Sequence, residues 1–356
     1  MVTLSVIVPF FNVEPYAPDA LRSLRANARE DFEFLLVDDA STDGTPEVLA
    51  RAEREAQDLP GSVRVLRHDA NQGLATARNT GLDAARGTFV TFLDGDDWLA
   101  PGHLARLVAA AEALGVDFVR TDHVQCTGRV RTVQRAPVGP RGVALDPRAA
   151  ILPAGRPTSV DYAYAWAGVY HRRLLDRGLL HFRPGLRTAE DRPWIWRLHR
   201  EAESFAAVGL LGVFYRRGVA TSLTQIGDIR QLDFLRAFDQ VIEETAADRD
   251  AAAFLPKAVR TYCAIIAHHL SHAQGGKGDA HAEGGKRFEP AVAKMLRSMS
   301  ADALRRLPRP LVEDALNSMD ADRAARLRAL RRRFPRPARH PAARPAPAAP
   351  AGVAAR

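Results

Sequence analysis

Two kinds of apolar pattern alternate along the first hundred residues. Leu4–Phe10, Phe32–Val37, Val63–Leu66 and Thr88–Leu93 are short, largely continuous apolar runs. Between them, Ala17–Arg29, Thr45–Gln57 and Leu74–Ala85 space their apolar residues at helical intervals. Thr42-Asp43-Gly44-Thr45 supplies turn and cap residues before the second helix, and Gly87 breaks the chain before the fourth run. Strands that are continuously apolar rather than alternating are buried on both faces. The pattern therefore predicts an α/β fold: a Rossmann-like, mostly parallel sheet with helices on both faces. After about Ile226 the spacing becomes helical throughout, over Leu232–Thr245, Ala252–His268, Arg287–Ser300 and Leu311–Ser318. Gln274–Lys286, rich in Gly, His and Lys, reads as a flexible loop.

Ligands of such sheets bind at the carboxyl ends of the strands. Here the first run ends at Pro9-Phe10-Phe11-Asn12, the second at Asp38-Asp39, the third near Asn71-Gln72-Gly73 and the fourth at Asp94-Gly95-Asp96-Asp97. Three carboxylates at the end of a buried strand repel one another and resist desolvation. A hard divalent cation, Mg²⁺ or Mn²⁺, compensates them and shares its shell with phosphates. Taken alone, the segment reads equally well as a solvated acidic turn. Four polar strand ends on one sheet edge favour a ligand site, in which the second end offers acceptors to a base or ribose. Gly73 lets backbone approach the ligand closely, and Arg78 is available to an anion.

Charge narrows the partners. The 356 residues carry a net +8, but ten arginines and no acids lie between Arg323 and the end. Removing those ten charges from +8 leaves residues 1–322 at −2, which argues against nucleic acid as a partner. Residues 334–356, rich in Pro, Ala and Arg, read as a disordered tail suited to peripheral contact with an anionic membrane or acidic polymer. Cys126 and Cys263 lie far apart without metal-ligand spacing, as expected of a reducing compartment. No apolar run approaches the roughly 20 residues of a membrane span. The expected location is cytoplasmic, at most peripheral at the inner face of the membrane.

The strand-end segments, taken together, resemble the family 2 glycosyltransferases, inverting enzymes with the GT-A nucleotide-diphospho-sugar fold. The resemblance runs through Ser5-Val-Ile-Val-Pro-Phe-Phe-Asn12, Phe34-Leu-Leu-Val-Asp-Asp-Ala-Ser-Thr-Asp-Gly-Thr45, Asn71-Gln-Gly-Leu-Ala-Thr-Ala-Arg-Asn-Thr-Gly81 and Thr91-Phe-Leu-Asp-Gly-Asp-Asp-Trp98. It implies that Pro9, Phe10 and Asn12 line the base pocket and that Asp39 contacts the nucleoside. It implies that Asp94 and Asp96 form the Asp-x-Asp motif, with Asp96 the direct ligand of Mn²⁺ or Mg²⁺. Asp191, within Thr188-Ala-Glu-Asp-Arg-Pro-Trp-Ile-Trp196, matches the family's catalytic base, with Glu190 beside it. The same segment reads locally as a capping box, Thr188-x-x-Asp191, at a helix start. Phe214-Tyr-Arg-Arg-Gly-Val-Ala-Thr-Ser222 resembles the element that closes over the donor diphosphate, through Arg216 or Arg217 and Ser222. Tyr162, Tyr164, Trp166 and Tyr170 serve either as core or as an acceptor platform.

The resulting organisation is a catalytic domain over 1–225, with a nucleotide-binding half (1–100) and an acceptor half (101–225). A helical module follows over 226–333, a candidate surface for self-association. The expected activity is metal-dependent, inverting sugar transfer from a UDP-sugar to a cell-envelope glycan, teichoic-acid-like polymer or lipid-linked acceptor. A sugar-nucleotide nucleotidyltransferase is the nearest enzyme alternative, but Phe10-Phe-Asn-Val-Glu14 lacks its Gly-rich basic loop. A non-catalytic nucleotide-sugar-binding scaffold would have no use for Asp94, Asp96 and Asp191 together.

Overall fold

Every residue of Leu4–Phe10 (β1) and of Phe32–Asp38 (β2) is buried, as strands covered on both faces must be. The computed structural model describes residues 1–58, 60–219, 227–273 and 288–333. The remaining strands are Ser62–Arg67 (β3), Phe89–Phe92 (β4), Trp98–Leu99 (β5), Phe118–Thr121 (β6), His123–Thr127 (β7), Val130–Gln134 (β8), Gly168–His171 (β9), Phe205–Val208 (β10) and Val213–Arg217 (β11). Through the first two-thirds of the chain the helices are Ala17–Arg25 (α1), Thr45–Glu55 (α2), Leu74–Ala84 (α3), His103–Leu114 (α4), Arg172–Asp176 (α5) and Asp191–Glu201 (α6). Asp233–Ala246 (α7), Ala251–Ala273 (α8), Pro290–Arg306 (α9), Arg309–Ser318 (α10) and Ala321–Arg333 (α11) complete the set.

The main sheet has seven strands in the order β10-β6-β9-β4-β1-β2-β3. Pairings β1–β2, β1–β4, β2–β3 and β6–β10 are parallel, while β9 runs antiparallel to both β4 and β6. The sheet is thus mostly parallel, as the apolar runs predict, with one reversed strand wedged at its centre. A second sheet, β5-β11-β7-β8, lies beyond the acidic strand end; β11 falls in the Phe214–Ser222 segment singled out from the sequence, while the sheet as a whole was not expected. Its strands are short and partly exposed, so they lack the continuous apolar signature.

Local packing explains the differences from the expected boundaries. Helix α1 stops at Arg25 rather than Arg29 because the Asn27 side chain donates to Ser23 O (2.8 Å) and Ala100 O (3.0 Å). Its Oδ1 accepts from the amide of Leu104 (3.1 Å), tying the end of α1 to the start of α4. In α3, Gly81 lies so close to β1 that a Cβ there would sit 2.3 Å from Cγ2 of Ile7. The helical region contains α11 in addition to the four expected helices; its high arginine content hides the buried Ala324, Leu327 and Leu330. One apolar core runs without a break from Leu4 to Leu330, so the helical region shares its interior with the sheet. The expected loop at 274–286 and the tail at 334–356 fall outside the described residues.

Candidate active site

The acidic turn is built by close contact between two strand ends. The amide of Gly95 donates to Pro9 O (3.2 Å), and a Cβ on Gly95 would stand 2.6 Å from the Phe10 ring. Phe10 is therefore buried beneath the turn, at 1% exposure. The exposed ring at this strand end is its neighbour Phe11, at 41%. Phe10, expected to line the base pocket, instead packs under the acidic turn, and the open ring belongs to Phe11, just past the end of β1, where no apolar alternation distinguishes the two. Asn12 takes a left-handed conformation (φ 51°), accepts from the amide of Thr42 (2.8 Å) and donates its own amide to Ser41 Oγ (3.1 Å). It ties the loop after β1 to the loop after β2.

Asp39 organises the loop after β3 at the same edge of the sheet. Its Oδ1 accepts from the amide of Gln72 (2.7 Å) and pairs with His68 Nδ1 (2.7 Å). Its Oδ2 accepts from the amide of Gly73 (2.7 Å) and from Asn71 Nδ2 (2.9 Å). Four partners fill the carboxylate's acceptor positions. Gly73 itself sits at φ 94°, a conformation that L side chains rarely adopt, so glycine is required there. Asp38 stays within the fold, accepting from the amide of Ser41 (3.0 Å) and facing Arg67 (3.3 Å).

At the centre lies Arg78, only 3% exposed. Its Nη2 donates to Asp94 Oδ1 (2.7 Å) and its Nη1 to Glu190 Oε1 (2.8 Å). Burial alone would depress this guanidinium; the charges of Asp94, Glu190 and Asp191 more than reverse that and hold it cationic. The sequence offers Arg78 to a ligand anion, but the fold commits it to the protein's own carboxylates. It welds the acidic turn to the Glu190-Asp191 pair, with Glu190 lying 112 residues beyond Arg78 itself.

The rest of the turn is graded by burial. Burial, reinforced by the charge on Asp94, pushes the Asp96 carboxyl up to about 6. Asp97 is fully buried, and its carboxyl is held well above the ordinary carboxylate range, by burial first and then by Asp96 and Asp94. Asp97 Oδ1 accepts from the amide of Arg216 (2.7 Å), while its Oδ2 has no hydrogen-bond partner among the described residues. Arg216 is a clamp: Nε donates to Asp96 O (2.8 Å), Nη2 to Asp19 Oδ2 (2.9 Å), and the guanidinium lies over Trp98 and Tyr16. Arg217 donates to the hydroxyl of Tyr215 (3.0 Å) and has no carboxylate partner among the described residues. The two arginines, equivalent in sequence, therefore separate: Arg216 is held by carboxylate and carbonyl partners, and Arg217 by the Tyr215 hydroxyl. Ser222 lies outside the described residues.

The donor set suits a divalent cation. Asp94 and Asp96 offer carboxylate oxygen, and among the described residues no group of three His, Cys, Asp or Glu side chains forms a closed metal cage. Mg²⁺ and Mn²⁺ are commonly held by one or two carboxylates, with phosphate and water completing the shell.

Across the cleft, Asp191 is the first residue of α6, and its side chain is 25% exposed. Ala189, just before the pair, adopts φ 59°. The expected capping box does not form: Glu190 is the N-cap, and the Thr188 hydroxyl donates instead to Arg230 O (2.7 Å). Burial pushes the Glu190 carboxyl up to about 7, with Arg78 opposing and Asp191 and Asp94 adding to the rise. Burial also raises Asp191; Arg192 and Arg78 pull it down and Asp94 pushes it up. The N-terminus of an eleven-residue helix favours its ionised form.

The aromatic segment divides. Tyr170 is fully buried core and Tyr162 is 7% exposed, its hydroxyl paired with His123 Nδ1 (2.5 Å). Tyr164 is half-buried, with its ring 4.8 Å from Trp166 and 5.9 Å from Tyr215, and the charges it feels are Arg192, Asp191 and Arg217. Phe11, Tyr215 and Arg187 are site residues that the sequence reading missed. Arg187 lies over Gly73 and donates to Asn71 Oδ1 (2.8 Å), a contact across 116 residues without a local signal. Among the described residues His268, His269 and His272 belong to no metal-binding group of three; His269 stacks on Phe234 at 4.1 Å.

Comparison with known proteins agrees with this arrangement. The family model for Glycosyl transferase family 2 matches residues 5–177. The succinoglycan biosynthesis protein ExoO of Rhizobium meliloti (strain 1021) is 30% identical over 358 residues, covering 97% of this chain and 91% of ExoO. The uncharacterized glycosyltransferase EpsJ of Bacillus subtilis (strain 168) is 34% identical over 224 residues; the match spans 63% of this chain and 63% of EpsJ. Among solved structures, S. aureus TarS 1–349 in complex with UDP-GlcNAc superposes with a TM-score of 0.67 at 17% identity. That likeness covers 93% of this chain and 92% of TarS 1–349, and shows a shared fold.

Proposed function

Because the chain belongs to glycosyltransferase family 2, we propose that it transfers a sugar, with inversion, from a UDP-sugar to a hydroxyl of a cell-envelope acceptor. The acceptor class is a glycan, a teichoic-acid-like polymer or a lipid-linked saccharide. The observation that carries the reading is the bridge Asp94–Arg78–Glu190, which sets a diphosphate-type acidic turn against a carboxylate at a helix start. Support for the donor comes from the fold shared with TarS, which was solved with UDP and with UDP-GlcNAc. Support for the acceptor comes from ExoO, a succinoglycan biosynthesis protein.

In this reading the nucleoside lies along the edge formed by Phe11, Asn12 and the Asp39 loop. Asp94 and Asp96 would hold Mn²⁺ or Mg²⁺, which supplies positive charge against the diphosphate. Arg217 adds a second cation at the opposite wall. Asp191 takes the proton from the acceptor hydroxyl as that oxygen attacks the anomeric carbon and the bond to the diphosphate breaks. Arg78 keeps the neighbouring Glu190 in place and moderates the repulsion among Asp94, Glu190 and Asp191. The half-buried Tyr164 and Tyr215 line the acceptor side. The location that goes with this chemistry is cytoplasmic, at the inner face of the membrane, with the arginine-rich tail as the peripheral contact. No helix among the described residues is long and apolar enough to cross a membrane.

A panel of nucleotide sugars tests the reading through donor hydrolysis in the presence of Mn²⁺. One UDP-sugar should be cleaved, and Asp191→Asn should lose turnover while retaining UDP binding. Cleavage of none, or full turnover by Asp191→Asn, would overturn it.

A further inference from the structure

The loop that delivers Glu190 and Asp191 is fastened from outside the catalytic half. Asp233, the first residue of α7, accepts from the amide of Arg187 through Oδ2 (2.6 Å) and from Arg236 Nη1 through Oδ1 (3.2 Å). The same Arg236 nitrogen donates to Gly185 O (2.9 Å), so one ion pair grips the loop at two points. A third tether is the hydroxyl of Thr188, 8% exposed, on Arg230 O. These contacts hold the chain immediately before Ala189, whose left-handed backbone turns it so that Glu190 meets Arg78 and Asp191 opens α6. A non-glycine residue there costs on the order of 1 kcal/mol and persists only where its surroundings enforce it.

The other flank of Asp191 is held in the same way. Lys257 of α8, 2% exposed, donates to Asp161 Oδ2 (2.5 Å), and Thr261 donates to Asp161 Oδ1 (3.2 Å). The Asp161 carbonyl accepts from Arg192 Nη1 (3.4 Å), the residue next to Asp191. The Arg187 side chain reaches the opposite way, to Asn71 and Gly73, whose groups also hold Asp39.

We infer that the helical region is the seat of the catalytic loop, and that Asp233 is a positioning residue that sets where Asp191 stands relative to the donor. The region thereby acquires a role in the reaction although it touches none of the reacting atoms. The role given to Asp191 rests on the glycosyl-transfer reading; the tether itself rests only on the contacts above.

The test compares Asp233→Ala, Asp233→Asn and Thr188→Val with wild type. Asp233→Asn keeps a carbonyl oxygen for the Arg187 amide, and Thr188→Val removes a single hydroxyl at nearly constant volume. With the nucleotide sugar that wild type cleaves, kcat of Asp233→Ala should fall roughly tenfold or more, because small misplacements of reacting groups are that costly. The Kd for UDP with Mn²⁺ should stay near the wild-type value, and Asp233→Asn should recover most of kcat. Thr188→Val should lower kcat in the same sense. Amide hydrogen exchange over residues 187–191 should accelerate in Asp233→Ala and Thr188→Val. Unchanged kcat and exchange would overturn the inference, as would a loss of kcat that merely follows the unfolded fraction and is not restored by asparagine. Should wild type cleave no nucleotide sugar, the glycosyl-transfer reading falls, and the exchange measurement alone judges the tether.

Discussion

At the scale of single residues, the site is governed by how burial and charge are traded among five carboxylates, Asp94, Asp96, Asp97, Glu190 and Asp191, and the Arg78 guanidinium. Glu190 illustrates the sign of the effect. Its carboxyl is raised from 4.5 to about 7 in the fold, so between those values the native state holds a proton that the unfolded chain has lost. Stability therefore falls as pH rises through this window, by the linkage between proton binding and folding. Glu190→Gln, which cannot titrate, should flatten the decline, as read from urea denaturation midpoints between about pH 4.5 and 7. Phe11 makes a second prediction. It is the exposed ring at the end of β1, and stacking on a base is worth about 1–3 kcal/mol. Phe11→Ala should weaken UDP binding at least about fivefold in calorimetry, while Phe11→Tyr retains it. An unchanged Kd would move the base elsewhere on the edge.

At the scale of elements, the site depends on how closely α3 and the acidic turn approach β1. Gly81→Ala would drive a methyl group into Ile7 and should cost about 1–3 kcal/mol by overpacking, seen as a lowered thermal midpoint. This is also the scale at which the sequence was most legible. β1, β2 and β4 announce themselves because strands buried on both faces, alternating with the helices α1 to α3, leave a clear pattern; β3, a half-buried edge strand, follows from its place in the alternation. The polar strand ends followed from that pattern together with one rule about parallel sheets. What stayed hidden is non-local. The second sheet is made of strands of two to five residues, too short to show a period. The reversed strand β9 has only four residues, Gly168–His171, and no run of residues records its direction. Arg216 and Arg217 were indistinguishable until pairing in the second sheet placed one against Asp97 and Asp19 and left the other beside Tyr215. Arg78 was visible as a cation, but its partner Glu190 lies too far along the chain for sequence to join them.

At the scale of the whole molecule, the helical region is bound to the catalytic half by apolar core and by buried charge. Lys257 and Asp161 pair with side-chain exposures of 3% and 23%. Lys257→Met leaves Asp161 without its counter-charge and should destabilise the protein by about 3 kcal/mol, the usual cost of breaking a largely buried pair. Because the apolar core is continuous, calorimetry should show one unfolding transition for wild type rather than separate ones for sheet and helices. Two resolved transitions would show that the helical region folds on its own. The central strand order carries a consequence for synthesis. Four strands and three helices are available once residue 92 has been made, yet one edge of β4 must wait for β9 at residues 168–171. During that interval the nascent sheet presents an open row of amides and carbonyls, a template for wrong pairing. The four strands with the polar ends are thus the first part of the chain to be made, and the free edge of β4 is covered only by a segment made about 75 residues later.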